Sequence, residues 1–383
     1  MRLLVVAGEA SGDALGAELV AALKALQPHW EFWGVGGPQM RAAGVRTRHD
    51  SREMAVVGVA EVLKKIPLLR RVYKDLRYEI GKGTTAAAIL IDYPGFNLRL
   101  ARMARRAGIR VIYYVSPQIW AWRPGRIRQI ARCVDKMLVL FPFEVPLYKR
   151  AGVDVTCVGH PLVDRLETGG GDSQLAVELG LEKGGPVVGL LPGSREREVR
   201  TLLPLMVESL PLIREQVPAA RFALAQAATI PDELVQELLQ GNPVPILVVQ
   251  DRTHDLIRLS SLLLVASGTA TLEATLLRAP MVILYKLHPL SWMFAKALVK
   301  VSWAGLVNIL AGKELVPELL QGRANPREIA AAAVPLLCDE DRRRRLQEEL
   351  GRIAGMLGPG GAAARAAREI ATFLEERPGR ALE

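Results

Sequence analysis

The sequence has few of the residues that tie a chain together covalently or through a metal. Its 383 residues include three cysteines and five histidines. The cysteines, Cys133, Cys157 and Cys338, form no CxxC pair, so they indicate neither a disulfide framework nor a zinc site. The histidines show no metal-ligand spacing either. We therefore expect a reducing, cytoplasmic environment, no bound metal and no cofactor.

Long hydrophobic runs are also lacking. The most apolar segment spans residues 287–310, but His288, Pro289, Lys296 and Lys300 interrupt it, and a membrane-spanning helix needs about 20 mostly apolar residues in a row. Residues 1–7 are too short for the apolar part of a secretory leader. The sequence thus predicts neither export nor a membrane span, although residues 287–303 could lie on a bilayer surface.

The usual phosphate-binding fingerprints are missing as well. No GxxxxGK[ST] occurs, and the first glycine turn, "GEASGD" at residues 8–13, does not have the GxGxxG spacing. Its Glu9 and Asp13 would each repel a pyrophosphate by roughly 1 kcal/mol or more at an effective dielectric constant of about 20. We therefore expect this turn, with Glu9, Ser11 and Asp13, to bind hydroxyl groups of a neutral part of a substrate.

The sequence does contain a regular alternation of short apolar runs and helical patterns. Runs such as "RLLVVA", "AAAILID", "PVVGLL" and "SLLLVA" are each followed by a helical segment, which is typical of βαβ units with parallel sheets. A glycine-rich stretch at residues 167–174 separates two such halves. We predict an α/β protein with two Rossmann-like domains, residues 1–166 and 175–355, facing a central cleft, and a closing helix within residues 356–383.

The net charge of +10 is concentrated in the first half of the chain. Residues 1–165 hold 26 lysines and arginines against 14 acids, which predicts an anionic partner such as nucleic acid or an acidic membrane surface. Nine arginines and two tryptophans lie between Arg99 and Arg132. This composition favours stacking on bases or on a phosphorylated amphiphile, and a solvated basic helix is the alternative.

A second basic segment, residues 64–80, combines an apolar helical face with a rim of lysine and arginine. Such a helix is typical of proteins that lie on a membrane surface. A core helix with a charged outer face fits the same pattern.

In the second half, "LLPGSRE" ends a buried strand and begins a helix. We expect Ser194 to cap this helix and Arg195 to stand beside its N-terminus. Unpaired amides, the helix dipole and a guanidinium together favour a phosphate at such a place. The alternative is structural: Ser194 caps the helix and Arg195 pairs with Glu196 or Glu198.

The segment "VASGTATLEA" has the same construction. Its small residues Ser267, Gly268 and Thr269 would let a ligand approach the backbone. Glu273, one turn into the helix, could accept hydrogen bonds from two vicinal hydroxyls of a ribose. An ordinary capping box is the alternative.

A candidate general base stands at the end of the strand in "AAAILIDYPGFN". Asp92 follows this strand directly and precedes a Pro-Gly turn, so its carboxylate is expected to reach the cleft. The alternative is an Asx cap of the following helix. His160, in "VGHPL", is the histidine best placed to reach the cleft.

Taken in order, these loops resemble those of the lipid-A-disaccharide synthases. The resemblance covers nearly the whole chain, on "GEASGD", "DYPGFN", "SPQIWAWR", "FPFE", "GHPL", "LLPGSR", "SGTATLEA" and "VNILAGKELVPELLQ". "SPQIWAWR" and "LLPGSR" are specific as a pair, while "SGTATLEA" alone also fits other sugar transferases and epimerases. The chain departs from some relatives at Gly95, where they have a second acid.

The resemblance implies the two-domain GT-B fold and a glycosyltransferase that joins UDP-2,3-diacylglucosamine to 2,3-diacylglucosamine 1-phosphate, or lipid X. The products would be UDP and the β(1→6) tetraacyl disaccharide 1-phosphate of lipid A, formed with inversion at the donor carbon and without a metal. Asp92, Arg195 and Asn308 would be the catalytic residues. The enzyme would act in the cytoplasm, peripherally on the inner membrane, and the resemblance allows a homodimer.

Together, the loops and the resemblance predict two substrate sites. UDP would bind the C-terminal domain, against Ser194, Arg195, Ser267, Gly268, Thr269 and Glu273. The acceptor would bind Glu9, Ser11, Asp13, Arg123 and His160, with Arg123 near its 1-phosphate. Residues 64–80 and 287–303 would extract both amphiphiles from a membrane, and nucleic acid would take no part.

Two alternatives from other classes stay open. One is a UDP-sugar 2-epimerase on the same fold, which would need neither a lipid nor an acceptor. The other is a non-catalytic protein that binds RNA or a membrane through the arginine and tryptophan region, which would leave both phosphate-type loops without a task.

Overall fold

The chain divides into two compact units. A computed structural model describes residues 1–54, 59–122, 124–167, 173–178, 184–287 and 303–376. Unit 1 contains Met1–Pro161 and Leu357–Glu383, and unit 2 contains Leu162–Met356. The division falls ahead of the glycine-rich stretch where we expected a linker, and the C-terminal segment returns to unit 1.

Unit 1 is built on one parallel sheet. Within the described residues its strands are β1 (Arg2–Ala7), β2 (Glu31–Gly36), β3 (Arg46–Asp50), β4 (Ala87–Ile91), β5 (Arg110–Tyr114), β6 (Lys136–Val139) and β7 (Asp154–Cys157). Their order in the sheet is β3-β2-β1-β4-β5-β6-β7, and every pair is parallel.

The helices of unit 1 follow the strands. They are α1 (Ala10–Leu26), α2 (Pro38–Ala42), α3 (Ser51–Met54), α4 (Val59–Gly81), α5 (Pro94–Arg106), α6 (Ile119–Trp122), α7 (Ile127–Cys133) and α8 (Glu144–Arg150), with a 3₁₀ turn at Pro124–Arg126.

Unit 2 repeats the scheme with the strands β8 (Val187–Leu191), β9 (Arg221–Gln226), β10 (Ile246–Gln250), β11 (Leu262–Ala266), β12 (Met281–Tyr285) and β13 (Glu318–Leu320). They form a second parallel sheet in the order β10-β9-β8-β11-β12-β13.

The described helices of unit 2 are α9 (Leu162–Glu167), α10 (Ser173–Glu178), α11 (Glu196–Gln216), α12 (Asp232–Leu239), α13 (Thr253–Leu259), α14 (Thr269–Leu276), α15 (Leu306–Ala311), α16 (Pro326–Cys338) and α17 (Glu340–Gly355), with a 3₁₀ turn at Gln321–Arg323. The last of the described helices, α18 (Ala362–Glu376), belongs to unit 1.

The central strands are apolar at every position, which suits their place in the middle of the sheets. β4, β8 and β11 are buried along their whole length. A strand covered by helices on both faces needs an apolar side chain at every position rather than at every second one. The prediction of two parallel-sheet α/β domains is confirmed.

Helix α4 settles one of the two interpretations of residues 64–80. Val72, Leu76 and Ile80 are buried in the core of unit 1, with Leu68 and Tyr73 against them. The apolar face of this part of α4 is therefore covered by its own domain. The expectation of a free membrane-binding face is wrong here, and the core helix with a charged outer face is right.

Helix α18 is held to unit 1 by both apolar and polar contacts. Its Ile370 and Leu374 are buried. The Arg110 guanidinium donates to the carbonyl oxygens of Phe373 and Leu374, each at 2.9 Å. Lys136 on β6 pairs with Glu369 at 3.1 Å. Helix α18 is thus part of the first domain.

Within the described ranges, none of the helices combines the length and the hydropathy that crossing a bilayer requires.

Candidate functional site

The strand order of each sheet reverses at one place. In unit 1 the reversal lies between β1 and β4, and in unit 2 between β8 and β11. Open parallel sheets bind ligands beyond the carboxyl ends of the strands at such a switch point, because the two following loops diverge there. The loops at these positions carry most of the residues that the sequence singled out.

In unit 2, the loop after β8 contains Ser194 and Arg195. Helix α11 begins at Glu196, so its N-cap is Arg195, one residue later than we predicted, and no side chain caps it. Both Ser194 and Arg195 are exposed. The guanidinium of Arg195 pairs with the Glu198 carboxylate at 3.0 Å. Glu198 is one of the two acids that the sequence offered as a structural partner of Arg195. This pair is exposed, and a phosphate could replace its carboxylate at small cost.

Gly193 is required in this loop. Its φ is +116°, and a Cβ there would lie 2.6 Å from Oε2 of Glu198. The chain can therefore turn tightly from β8 into α11.

The loop after β11 contains Ser267, Gly268 and Thr269. The N-cap of α14 is Gly268, and no side-chain hydrogen bond caps the helix. The capping box that the sequence allowed is thus not formed. The Ser267 hydroxyl instead donates to the carbonyl oxygen of Ala304 at 3.4 Å. Gly268 and Thr269 are exposed, so a ligand can approach the backbone at this helix end.

Glu273 lies one turn into α14 and is partly buried. The Nε2 atom of His254, which lies on α13, stands 3.8 Å from its carboxylate. Tyr285, at the end of β12, also belongs to this region: burial raises the pKa of its hydroxyl, Glu198 adds to the rise and Arg195 opposes it. Neither His254 nor Tyr285 was singled out from the sequence, because no motif marks them.

Asn308 does not reach the surface of unit 2. Its side chain is fully buried. Its Oδ1 accepts from the amides of Leu315 and Val316 at 2.8 and 3.0 Å. Its Nδ2 donates to the Val316 carbonyl oxygen and to Glu318, at 2.9 and 2.8 Å. Every donor and acceptor of the amide is used inside the protein. We therefore correct the expectation that Asn308 contacts substrate, because its side chain has a structural role.

In unit 1, the loops after β1 and β4 meet at Gly8 and Tyr93. A Cβ at Gly8 would overlap the Tyr93 ring, so glycine is needed for this approach. Tyr93 also donates from its hydroxyl to the Met54 carbonyl oxygen at 2.8 Å. Glu9 and Ser11 are exposed beside this contact and remain candidates for binding.

Asp92 stands on a strained turn. Asp92 and Tyr93 both have left-handed backbone, with φ of +45° and +47°, which costs about 1–3 kcal/mol for each non-glycine residue. Hydrogen bonds hold the turn: the Asp92 carbonyl oxygen accepts from Tyr113 at 2.5 Å and from Asn97 at 2.8 Å.

The same turn changes the acidity of the Asp92 side chain. Burial raises the pKa of its carboxyl to about 6, and the negative charge of Glu9 adds to the rise. The group is still ionised at neutral pH, and it is more basic than an ordinary aspartate.

Asp13 has another task than the one predicted. Its carboxylate is buried. It accepts from the amides of Gly37, Gln39 and Met40 at 2.6, 3.0 and 3.1 Å, and so caps the N-terminus of α2 from outside. The expectation that Asp13 binds an acceptor is replaced by this structural role.

The motifs "SPQIWAWR", "FPFE" and "GHPL" follow the strands β5, β6 and β7 of unit 1. Because these strands are parallel, the three motifs begin at the same edge of the sheet. The Phe141 and His160 rings lie 5.4 Å apart, as do the rings of Phe141 and Phe143. His160 is partly buried. In the same segment Glu144 is 2% exposed, and burial raises the pKa of its carboxyl to about 7, against hydrogen bonds from Ser116 and neighbouring amides. Glu144 was not singled out, because its burial follows only from the fold.

Arg123, and residues 288–302 of the apolar segment, lie outside the described residues. At Gly95, where some relatives have an acid, no described atom lies within 4 Å of the place that a Cβ would take. The backbone of this chain therefore leaves room for such a side chain.

The sequence is similar to one family over nearly its whole length. A family described as lipid-A-disaccharide synthetase matches residues 3–358. The lipid-A-disaccharide synthase of Trichlorobacter lovleyi is 45% identical over 375 residues, which are 98% of each chain. The enzyme of the same name from Geobacter sulfurreducens is 45% identical over 373 residues, 97% of each chain.

The fold is similar to that of a solved glycosyltransferase and of a solved epimerase. The calicheamicin glycosyltransferase CalG4 superposes with a TM-score of 0.62 at 15% identity, over 98% of this chain and 99% of that one. A UDP-GlcNAc 2-epimerase from Neisseria meningitidis, solved with UDP-GlcNAc, gives a TM-score of 0.57 at 12% identity, over 98% and 100%. At these identities the likeness concerns the fold alone.

Proposed function

Because this chain belongs to the lipid-A-disaccharide synthase family, we propose that it joins UDP-2,3-diacylglucosamine to 2,3-diacylglucosamine 1-phosphate. The products are the β(1→6) tetraacyl disaccharide 1-phosphate and UDP. The observation that carries the proposal is the position of Asp92 and Arg195. Each stands in a loop that follows a strand at the switch point of its own unit.

The donor is assigned to unit 2. Its diphosphate would lie against Ser194, Arg195 and the N-terminus of α11, and near the uncapped start of α14 at Ser267, Gly268 and Thr269. Amides at a helix end and a guanidinium both favour such an anion. Binding exchanges the Glu198 partner of Arg195 for a phosphate oxygen.

Glu273 is proposed to accept hydrogen bonds from the ribose hydroxyls. It is partly buried on α14, and the Nε2 atom of His254 stands 3.8 Å from its carboxylate. A neutral hydroxyl pair is a suitable partner for a carboxylate in this place, whereas a phosphate would be repelled.

The acceptor is assigned to unit 1. Asp92, with a pKa of about 6, takes the proton from the 6-hydroxyl as that oxygen attacks the anomeric carbon. The C1–O bond to UDP breaks on the opposite face, so the configuration inverts. Arg195 and the α11 amides stabilise the negative charge of the departing diphosphate, so the proposal needs no metal.

Glu9, Ser11 and His160 are the remaining acceptor candidates in unit 1, and Arg123 keeps its proposed place near the 1-phosphate. Of these, Glu9 and Ser11 are exposed next to the Asp92 turn. Asp13 and Asn308 do not belong to the proposed contact residues, because their side chains are used inside the protein.

Both substrates are acyl amphiphiles, so we assign the enzyme to the cytoplasmic surface of the inner membrane as a peripheral protein. The outer face of α4 supports this assignment: Lys74 and Arg77 are exposed, and Tyr78 is 68% exposed beside them. Basic residues of this kind attract anionic headgroups by about 1 kcal/mol each. A homodimer is part of the proposal only through the family resemblance.

The proposal is tested by UDP release from UDP-2,3-diacylglucosamine in detergent micelles, with and without lipid X, and with a metal chelator present. Release that depends on lipid X is the expected result. Release without lipid X, or conversion of the donor sugar to its 2-epimer, would contradict the transferase and favour the epimerase. Insensitivity to the chelator is expected, and a loss of activity that Mg²⁺ restores would overturn the metal-free mechanism.

A further inference from the structure

A buried carboxylate in unit 2 belongs to no substrate site, yet both of its oxygens accept hydrogen bonds. Glu318, at the start of β13, is 5% exposed. Its oxygens accept from the amide of Ala304 at 2.7 Å, from the amide of Gly305 at 3.0 Å and from Nδ2 of Asn308 at 2.8 Å. A buried charge is tolerated only with such partners.

The partners of Glu318 lie at the start of α15, whose N-cap is Gly305. A carboxylate that accepts amides at a helix N-terminus fixes the direction from which the chain enters the helix. Asn308 fixes the other side of the same arrangement, since its Oδ1 holds the amides of Leu315 and Val316. Together the two side chains tie residues 304–305 to the segment that leads into β13.

The fit around Gly305 is tight. A Cβ on Gly305 would lie 2.5 Å from Cδ1 of Ile283 and 3.0 Å from Oε1 of Glu318. Ile283 and Glu318 are neighbours on the paired strands β12 and β13. The backbone at Gly305 is thus packed against the sheet, and it has little freedom to shift while the carboxylate is in place.

The residue before Gly305, Ala304, contacts the loop after β11. The carbonyl oxygen of Ala304 accepts from the Ser267 hydroxyl at 3.4 Å. The donor is Ser267, the residue that precedes the uncapped N-terminus of α14, and its own amide is held by the Leu284 carbonyl oxygen at 2.9 Å. The connection therefore runs from Glu318 through Ala304 to a residue of the proposed UDP site.

We propose that Glu318, together with Asn308, is a positioning residue for the UDP-binding loop at Ser267–Thr269. Neither side chain touches the nucleotide. The pair holds the backbone of Ala304 where it orients Ser267, and so prepares the start of α14 for the diphosphate. The inference rests on the proposed function, in that unit 2 is taken to bind UDP.

The test measures UDP affinity by calorimetry, together with the donor KM and kcat, for the full-length variants Glu318→Gln and Gly305→Ala. Glu318→Gln keeps the shape but replaces one acceptor oxygen with a donor. Gly305→Ala keeps the carboxylate but displaces it. Both are expected to raise the Kd for UDP and the donor KM at least fivefold, with the KM for lipid X unchanged.

A matched control separates positioning from general stability. Ile329 is fully buried in the core of unit 2, and it is absent from the hydrogen-bonded chain described above. Ile329→Val is expected to lower Tm but to leave the Kd for UDP unchanged. If the Glu318 and Gly305 variants also lower Tm without changing the Kd, the role is merely structural and the inference is overturned.

The outcomes also separate this inference from the proposed function. Wild-type protein that binds UDP but transfers no sugar would contradict the function, and the Kd values of the variants would still decide the positioning role. Wild-type protein that transfers the sugar, with variants that bind UDP normally, would overturn the positioning role alone. Wild-type protein that does not bind UDP would overturn both.

Discussion

At the scale of single residues, the clearest feature is the turn at Asp92 and Tyr93. Both residues have left-handed backbone, and the Asp92 carbonyl oxygen accepts hydrogen bonds from Tyr113 and Asn97. Strain of this kind persists where the surrounding structure imposes it, and it is found most often at functional sites. It places a carboxyl of raised pKa directly at the end of a central strand.

Asp92→Asn is therefore expected to abolish sugar transfer and leave the Kd for UDP within twofold of wild type. The amide has the same shape but cannot accept the proton of the acceptor hydroxyl. Transfer and UDP binding are measured on the same preparation. A variant that loses UDP binding would show that Asp92 has a structural role instead.

The pKa of about 6 also predicts a pH profile for the wild type. A general base works only when ionised, so kcat/KM should fall about tenfold per pH unit below pH 6 and reach a plateau above it. A profile without an acidic limb between pH 5 and 7 would contradict the assignment of Asp92 as base.

Arg195→Ala is expected to lower turnover at least tenfold, because it removes a charge-assisted phosphate contact worth about 1.5–3 kcal/mol. Arg197 gives the matched control, since it is also exposed and lies two residues further along the chain. Arg197→Ala should stay within twofold of wild type. Equal losses in both variants would indicate a general effect of positive charge rather than a specific contact.

At the scale of elements, buried acids connect the ends of helices to neighbouring loops. Asp13 on α1 caps α2, and Glu144 at the start of α8 accepts from the amide of Phe141 at 3.3 Å. These acids look alike in the sequence, but their environments differ. Three backbone amides donate hydrogen bonds to the Asp13 carboxylate. At Glu144, burial is the main influence on the carboxyl and raises its pKa.

Asp13→Ala is expected to lower the free energy of unfolding by about 3 kcal/mol, because it leaves three amides at the α2 terminus without their charged acceptor. The measurement is urea denaturation followed by tryptophan fluorescence. Ser11→Ala, at an exposed position on the same helix, serves as control and should change stability by less than about 0.5 kcal/mol. A loss of acceptor affinity at normal stability would restore Asp13 to the site.

Glu144→Gln should remove a pH dependence of stability. The pKa of this carboxyl rises from 4.5 to about 7 on folding, so its proton favours the folded state. The contribution is complete below pH 4.5 and is lost as the pH rises through 7, by about 3 kcal/mol in total at 1.36 kcal/mol per unit. Wild type should therefore lose stability relative to the variant between pH 4.5 and pH 8, and parallel curves would contradict this environment.

At the scale of the whole molecule, the first domain contains a helix, α18, that follows the second domain in the sequence. Helix α18 covers unit 1 after the chain has completed unit 2. Arg110, Lys136 and Thr156 on the strands of unit 1 bind this helix through its carbonyl oxygens and Glu369. The first domain therefore includes a helix that follows the whole of unit 2 in the sequence.

Ile370→Ala is expected to lower the free energy of unfolding of unit 1 by about 2–5 kcal/mol, since it leaves a cavity under α18. The Kd for UDP should stay unchanged, because the nucleotide is assigned to unit 2. Arg368, exposed on the same helix, gives the control variant Arg368→Ala. A weaker UDP affinity in Ile370→Ala alone would contradict the assignment of the nucleotide to unit 2.

The sequence by itself determined the elements, and it determined which loops carry polar residues. β4, β8 and β11 are visible as apolar runs because a strand buried on both faces has no room for polar side chains. The loops with Asp92, Arg195 and Ser267 follow directly from the ends of such strands. Such a run of apolar residues can be recognised within a short window of the sequence, without any knowledge of the fold.

Only the tertiary structure decided what each polar residue in those loops contacts. Asp13 and Glu9 belong to one motif, yet the former caps α2 and the latter is exposed. Asn308 and Glu318 are paired inside unit 2, and the apolar face of α4 is covered by its own core. Such assignments depend on residues that are distant along the chain, because burial and hydrogen bonding arise only when the sheets have formed.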